Sequence, residues 1–207
     1  MTLALNFIDE NESTDFFCRE MEKLSIFCND TYEIRFSKIC VGVSGGADSL
    51  ALLYFTKKWA DAYNVSLYCV TVDHQLRKES AEEAQFVKDI CETNGIYHET
   101  LVWAHGKLDF PHTKLENKAR ETRYNLLAEF CKQNGIHILM TAHHWNDQLE
   151  TYEMRRLFNS SDSGLAAMSQ VRSLTSGILL VRPLLHFSKK HLPNVRLCYI
   201  IANCRCE

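Results

Sequence analysis

With 207 residues, 46% of them hydrophobic and 24% charged, the chain is long and apolar enough for one folded domain and excludes a disordered polymer. No apolar run approaches the roughly 20 residues of a membrane span, and the opening MTLALNFIDENESTD turns acidic without a basic leader, so the cytosol is the expected compartment. The net charge of −3 hides an asymmetry: residues 1–33 carry eight acids against Arg19 and Lys23, whereas residues 163–206 carry none against Arg172, Arg182, Lys189, Lys190, Arg196 and Arg205.

Such a basic block fits a polyanion surface, or a solvated face plus one arginine that caps an internal carboxylate. The first predicted element is a leading helix over 14–28, from the spacing of Phe17, Met21, Leu24 and Cys28. KICVGVS (38–44) reads as a buried strand, DSLALLYFTKKWADAY (48–63) as a helix and VSLYCVTVD (65–73) as a second strand. ESAEEAQFVKDICETNG (79–95) has a Ser80–Glu83 capping box, an apolar face of Ala84, Val87, Ile90 and Cys91, and a stop at Asn94-Gly95. IYHETLVW (96–103) is the third strand. A second box, Thr113–Glu116, opens a helix carrying Leu115, Ala119, Leu126, Leu127, Phe130 and Cys131, which ends at Asn134-Gly135. IHILMTA (136–142), NDQLETYEMRRLF (146–158) and GILLVRPLL (177–185) follow as strand, helix and fifth strand.

Strands alternating with amphipathic helices predict an α/β fold, a doubly wound, Rossmann-like, parallel five-stranded sheet with helices on both faces. Ligands on such sheets bind beyond the carboxyl ends of the strands. Ser44–Ser49, Asp73-His74 and His143–Asp147 should therefore converge on one rim. The nine cysteines contain no CxxC pair, and Cys40, Cys69, Cys91 and Cys131 fall inside elements, as reduced core thiols do. Cys204 and Cys206, with Cys198 nearby, fall short of a zinc ligand set, and no His-x-x-x-His pair occurs.

VGVSGGADSLALL (41–53) places Gly45 and Gly46 between Ser44 and Ser49 at a strand-to-helix junction. Two glycines that admit positive φ, serine hydroxyls and successive amides at a helix start make a phosphate cradle. It matches neither the lysine-bearing P-loop nor G-x-G-x-x-G, and Asp48 within it suggests a metal ion bridging to phosphates. Asp147 is the second hard ligand for Mg²⁺, or caps the helix behind it; the metal is favoured because Asp48 is placed as its partner. Arg120 and Arg123 share a helical face and suit phosphate or developing charge, or a solvated face. His143 at a strand end is an acid–base or phosphate-contacting candidate, His144 a structural one, and His74 is ambiguous between the two.

Ser44-Gly45-Gly46-Ala47-Asp48-Ser49 resembles the S-G-G-x-D-S pyrophosphate loop of the N-type ATP pyrophosphatases at every fixed position. VDHQLRKESAEEAQFV (72–87), KARETRY (118–124), HHWNDQLET (143–151), GLAAM (164–168) and RPLL (182–185) resemble, in order, segments of the tRNA(Ile)-lysidine synthetase family. The resemblance implies an adenine nucleotide alpha hydrolase-like fold over 36–186, preceded by the leading helix region 1–35. It implies that ATP is cleaved between its α and β phosphates, that AMP is placed on the carbonyl oxygen of a wobble cytidine of tRNA(Ile), and that free lysine then displaces AMP. By the same resemblance Ser44, Gly45, Gly46, Ala47, Asp48, Ser49, Asp73 and Arg123 bind the nucleotide. Asp48, Arg120, His143 and Asp147 serve catalysis, and Asp48 and Asp147 hold the metal.

The likeness lapses at FSKKHLPNVRLCYIIANCRCE (187–207), where Pro193 interrupts the expected helix and no acidic stretch follows. A truncated tail, and a homodimer that buries it, are the corresponding expectations. A tRNA 2-thiocytidine synthetase-like enzyme is the alternative that shares the adenylation step, disfavoured because Cys40 and Cys69 lie inside strands. A non-catalytic ATP-binding module, or a decayed relic of the enzyme, is the alternative of another class.

Overall fold

The apolar runs form the parallel centre of a sheet, because residues buried on both faces must lie between helices. The computed structural model describes residues 10–75, 79–103, 112–157, 168–175 and 177–192. In chain order these are α1 (Glu10–Tyr32), β1 (Lys38–Gly42), α2 (Ala47–Tyr63), β2 (Ser66–Asp73), α3 (Glu79–Thr93) and β3 (Tyr97–Val102). Then come α4 (His112–Gln133), β4 (Ile138–Met140), α5 (Trp145–Leu157), β5 (Val171–Thr175), β6 (Ile178–Val181) and a 3-10 turn at Lys189–His191.

The strand order is β3-β2-β1-β4-β6-β5. Ile39 of β1 stands beside Leu67 of β2 on one side and Ile138 of β4 on the other, both in parallel. Only β5 runs antiparallel, against β6, with an irregularity between Ser173 and Thr175. The expected five strands are thus six among the described residues. β5 was missed because an edge strand needs burial on one side alone: of VRSLT only Val171 is fully buried, so the segment reads as a polar loop. The fifth predicted strand also stops early, at Val181, since Pro183 has no amide for a ladder and the chain turns there.

Strand alternation splits the core in two. Ile39 and Val41 point to the side covered by α1, α2 and α3, with Phe17, Met21, Phe55, Val87 and Cys91, while Cys40 points to the side covered by α4, with Leu127, Phe130 and Cys131. Cys28, Cys40, Cys69, Cys91 and Cys131 are buried free thiols; Cys198, Cys204 and Cys206 lie outside the described residues. Phe17 stacks on Phe55 at 5.2 Å, and Phe187 joins them at 6.3 and 6.2 Å, so the segment after β6 belongs to this core.

Helix ends follow the turn chemistry. Gly95 and Gly135 take φ of +63° and +62°, and Ile96 and Ile136 donate back to the Cys91 and Cys131 carbonyls at 2.9 and 2.8 Å. Asn64, φ 55°, closes α2 in the same way. At the other ends, α3 and α4 are already helical at Glu79 and His112, one residue ahead of the serine and threonine expected to cap them.

Candidate active site

After β1 the chain winds to β2 and β3 on one side of the sheet; after α4 it returns to β4 on the other side of β1. The carboxyl ends of β1 and β4 therefore flank the switch point, where loops diverge and leave a crevice. It is a cleft of about 280 Å³, lined by Ser44, Gly46, Asp48, Ser49, His74, Arg123, Thr141, His143 and Asp147 over an apolar floor that includes Val70, Val72 and Leu127.

The loop is built by unequal contributions. Gly45 has φ +80°, and a Cβ there would lie 3.6 Å from Glu83 and Val87 of α3, so this residue is the hinge packed against the fold. Gly46 does not share the positive φ expected of both: at −73° it is the N-cap of α2, and a Cβ would meet only Ser44 Oγ, at 3.5 Å. Its smallness leaves the cleft side open, and no side chain caps the first-turn amides of α2. The Ser49 hydroxyl accepts from the Ser44 amide at 3.2 Å and donates to the Gly46 carbonyl at 2.8 Å. That commits its one proton to holding the loop, while the Ser44 hydroxyl lies 3.4 Å from Ser49 Oγ and lines the cleft.

Asp48 comes from the first turn of α2 and Asp147 from the first turn of α5. Between them sits His144, only 4% exposed, with Nε2 3.4 Å from Asp48 Oδ2 and Nδ1 3.5 Å from Asp147 Oδ2. Asp147 Oδ2 also accepts from the His144 amide at 2.7 Å, which is the helix-capping role that its position allowed. Capping and lining the cleft are compatible, since a carboxylate has a second oxygen. Lys189 Nζ lies 3.6 Å from Asp48 Oδ2.

His143 meets Thr141 Oγ1 at 3.0 Å through Nδ1, leaving Nε2 as its other polar atom. Burial, then the Arg182 charge, pushes its pKa down to about 4 against the opposing pull of Asp147, so the ring is neutral near pH 7. Arg123 reaches the cleft lining; Arg120, one turn back on α4, is exposed and does not. Asp73 is not on the lining either. Its carboxylate accepts from the Gln75 amide at 2.8 Å and holds the turn that brings His74 there. Gly45 and Ala47 also stand off the lining. The sequence reading missed Thr141, the bridging position of His144 and the approach of Lys189. Only the doubled histidine gave a signal, because contacts made across the sheet rim leave no spacing to read.

A glycine loop opening a helix at the switch point of a parallel sheet, with two carboxylates facing it, defines a nucleotide-binding α/β protein. Residues 19–199 match the PP-loop domain family, and the chain belongs to it. It is 44% identical over 156 residues to a tRNA(Ile)-lysidine synthase of Bradyrhizobium sp. (strain BTAi1 / ATCC BAA-1182), covering 74% of this chain and 42% of the relative. To that of Orientia tsutsugamushi (strain Boryong) it is 32% identical over 176 residues, 85% of this chain and 37% of the relative. The chain thus spans about two-fifths of these relatives. Among solved structures, the U34-tRNA thiolase NcsA from Methanococcus maripaludis superposes with a TM-score of 0.69 at 15% identity, over 93% of this chain and 64% of that one. An NH3-dependent NAD synthetase from Campylobacter jejuni gives 0.55 at 13%, over 95% and 74%. These two likenesses show the fold.

Proposed function

We propose that the chain carries the ATP-handling part of a tRNA(Ile)-lysidine synthetase. In this reading ATP is cleaved between the α and β phosphates and AMP passes to the carbonyl oxygen of the wobble cytidine of tRNA(Ile). The amine of free lysine then displaces AMP. The observation that carries it is the meeting of the Ser44–Ser49 loop with Asp147 in one cleft. The assignment to lysidine synthesis rather than to another adenylation rests on the named relatives.

The loop amides and Ser44 hold the departing pyrophosphate, aided by the amino-terminal end of α2. Asp48 and Asp147 fit a magnesium ion. Both are hard oxygen donors on the cleft. This suits an ion that takes its remaining oxygens from phosphates and water. Bound there, magnesium would neutralise phosphate charge. His144 keeps the two carboxylates in register, and neutral His143 offers Nε2 to the α-phosphate or the attacking base as a hydrogen-bonding group without adding charge. Arg123 faces the phosphates, Arg120 stands at the rim, and Asp73 acts through its turn. Residues 36–186 are taken as the catalytic unit, with α1 packed on it through Phe17, Met21, Leu24 and Cys28. No helix among the described residues is long and apolar enough to cross a membrane, and we assign the activity to the cytosol.

Sulfur transfer would require an accessible thiolate. Cys40 and Cys69 are fully buried, and hydrogen bonds with Cys131 and Cys91, together with burial, hold their pKa values well above the usual thiol range. The test is ATP-to-AMP conversion with a tRNA(Ile) transcript and lysine, followed by mass spectrometry of the tRNA. Lysine addition is expected from the wild-type chain and loss of AMP release from Asp48→Ala at unchanged melting temperature. Absence of AMP release from the wild type would remove the enzyme reading, and a sulfur mass increment would replace it with the thiolation alternative.

A further inference from the structure

Arg172 and Arg182 of the basic block join Arg120 and Arg123 of α4 in a cluster that the nucleotide site does not use up. Around the Tyr124 ring lie the guanidinium carbons of Arg120, Arg123 and Arg172, at 5.9, 5.5 and 5.7 Å. Arg182, only 3% exposed, completes the group. Its Nη1 donates to the Ser169 carbonyl at 2.5 Å, while its Nε and the Tyr124 hydroxyl are buried without a hydrogen bond of good geometry. Of the two readings of the basic block, the arginine capping an internal carboxylate finds no partner among the described residues, where none of the four takes part in an ion pair.

Buried or crowded cations without counter-charge are costly, and the face of one aromatic ring compensates such charge only in part. Their mutual repulsion shows in Arg182. Burial, followed by Arg172 and Arg120, holds its pKa below the ordinary arginine value against the opposing pull of Tyr124. Arg123 of the cluster lines the cleft, and the charges of Arg182, Arg120 and Arg123 reach His143, so the cluster borders the cleft. Arg120 and Arg172 are its exposed members, one on α4 and one on the edge strand β5, outside the lining of the nucleotide cleft.

We propose that Arg120, Arg123, Arg172 and Arg182, gathered round Tyr124 between α4 and the β5–β6 hairpin, form a phosphodiester-binding site for the RNA strand beside the nucleotide cleft. The proposal rests on the function proposed above, which needs an RNA base presented at the α-phosphate. A base placed there carries its own flanking phosphodiesters to the rim. A guanidinium fork matches phosphate oxygens in pairs, so three forks around one ring with the buried Arg182 beside them favour an anion with several oxygens. Arg182 is the fixed charge at the base of the site, while Arg172 and Arg120 contact the strand.

Arg172 tests this without touching the nucleotide site. Binding of the full chain to a tRNA(Ile) transcript and to a single-stranded poly(U) oligomer is measured over a salt series for wild type, Arg172→Gln and Arg172→Lys, with ATP binding and melting temperature as controls. Arg172→Gln should weaken binding of both RNAs about threefold to tenfold and flatten the slope of log affinity against log salt by about 1, with Arg172→Lys close to wild type. ATP affinity should not change. An unaltered salt slope in Arg172→Gln, with tRNA still bound and AMP still released, overturns this site alone. A parallel loss of ATP affinity also overturns it, by assigning the cluster to the nucleotide. RNA binding that depends on Arg172 without any AMP release overturns the enzymatic reading and leaves the site standing. No RNA binding by the wild type overturns both.

Discussion

Gly45 and Gly46 are adjacent and chemically identical, yet the fold asks different things of them. At Gly45 the backbone is left-handed and the space behind it is filled by Glu83 and Val87. At Gly46 the backbone is ordinary and the space in front is open. Gly45→Ala should therefore cost about 1–2 kcal/mol of stability, read as a lower denaturant midpoint, and distort the loop with it. Gly46→Ala should leave stability within about 0.5 kcal/mol but weaken ATP or pyrophosphate binding, because its methyl group stands where phosphate oxygens approach. Calorimetric titration beside a urea melt separates the two, and equal effects at both positions would contradict the loop's orientation. Asp147 makes a related point: one carboxylate oxygen caps α5 while the residue lines the cleft, so capping does not preclude the ligand role proposed for it.

At the scale of elements, what the sequence made legible was whatever repeats with a period. Phe17, Met21, Leu24 and Cys28 gave α1 its buried face, although not its full length from Glu10 to Tyr32, because exposed terminal turns carry no periodic signal. The loops after β1 and β4 were legible through glycine, serine and acid at strand ends. The antiparallel edge strand β5 was not, nor was the support of the site by the segment after β6. There the Phe187 carbonyl accepts the Trp145 amide at 2.9 Å and Asn146 Oδ1 accepts the Lys189 amide at 3.1 Å, pinning the start of α5 on which Asp147 sits. Such contacts link residues some forty apart and follow no spacing rule. They predict that Phe187→Ala, which empties a position only 2% exposed, should cost about 3–5 kcal/mol. The loss should also reach the site, lowering ATP affinity in whatever fraction remains folded. A fall of less than about 1 kcal/mol in a urea melt would place residue 187 outside the core.

Across the whole molecule, buried Glu20 and half-buried His143 couple stability to pH in the same sense, joined by His98, whose pKa desolvation also lowers. Glu20, 5% exposed, joins α1 to the far edge of the sheet through Gln170 at 3.3 Å and His186 at 3.1 Å, with Lys23 at 2.7 Å beside it. Burial raises its pKa, but the hydrogen bonds from Lys23, His186 and Gln170 outweigh burial and leave it lowered. A carboxylate lowered in the folded state stabilises above its unfolded pKa, and that contribution is lost as pH falls through the folded value. His143 is also lowered, to about 4, from an ordinary value of 6.5. The unfolded chain therefore takes up a proton on this ring between those values while the folded chain does not, and stability again declines as pH falls. At about 1.4 kcal/mol for each tenfold change in proton affinity, the histidine contributes at most about 3.5 kcal/mol across that window. Melting temperature should accordingly drop between pH 6.5 and pH 4, continuing to fall below it as Glu20 protonates. His143→Gln should flatten the upper limb and Glu20→Gln the lower one, each leaving the other in place. The two limbs must be separable, since residue 143 sits at the sheet's switch point and residue 20 on a helix packed over its far side. A melting temperature independent of pH over that range, or one variant flattening both limbs, would mean that these groups are solvated in the folded chain and that the cleft is wetter than its lining indicates.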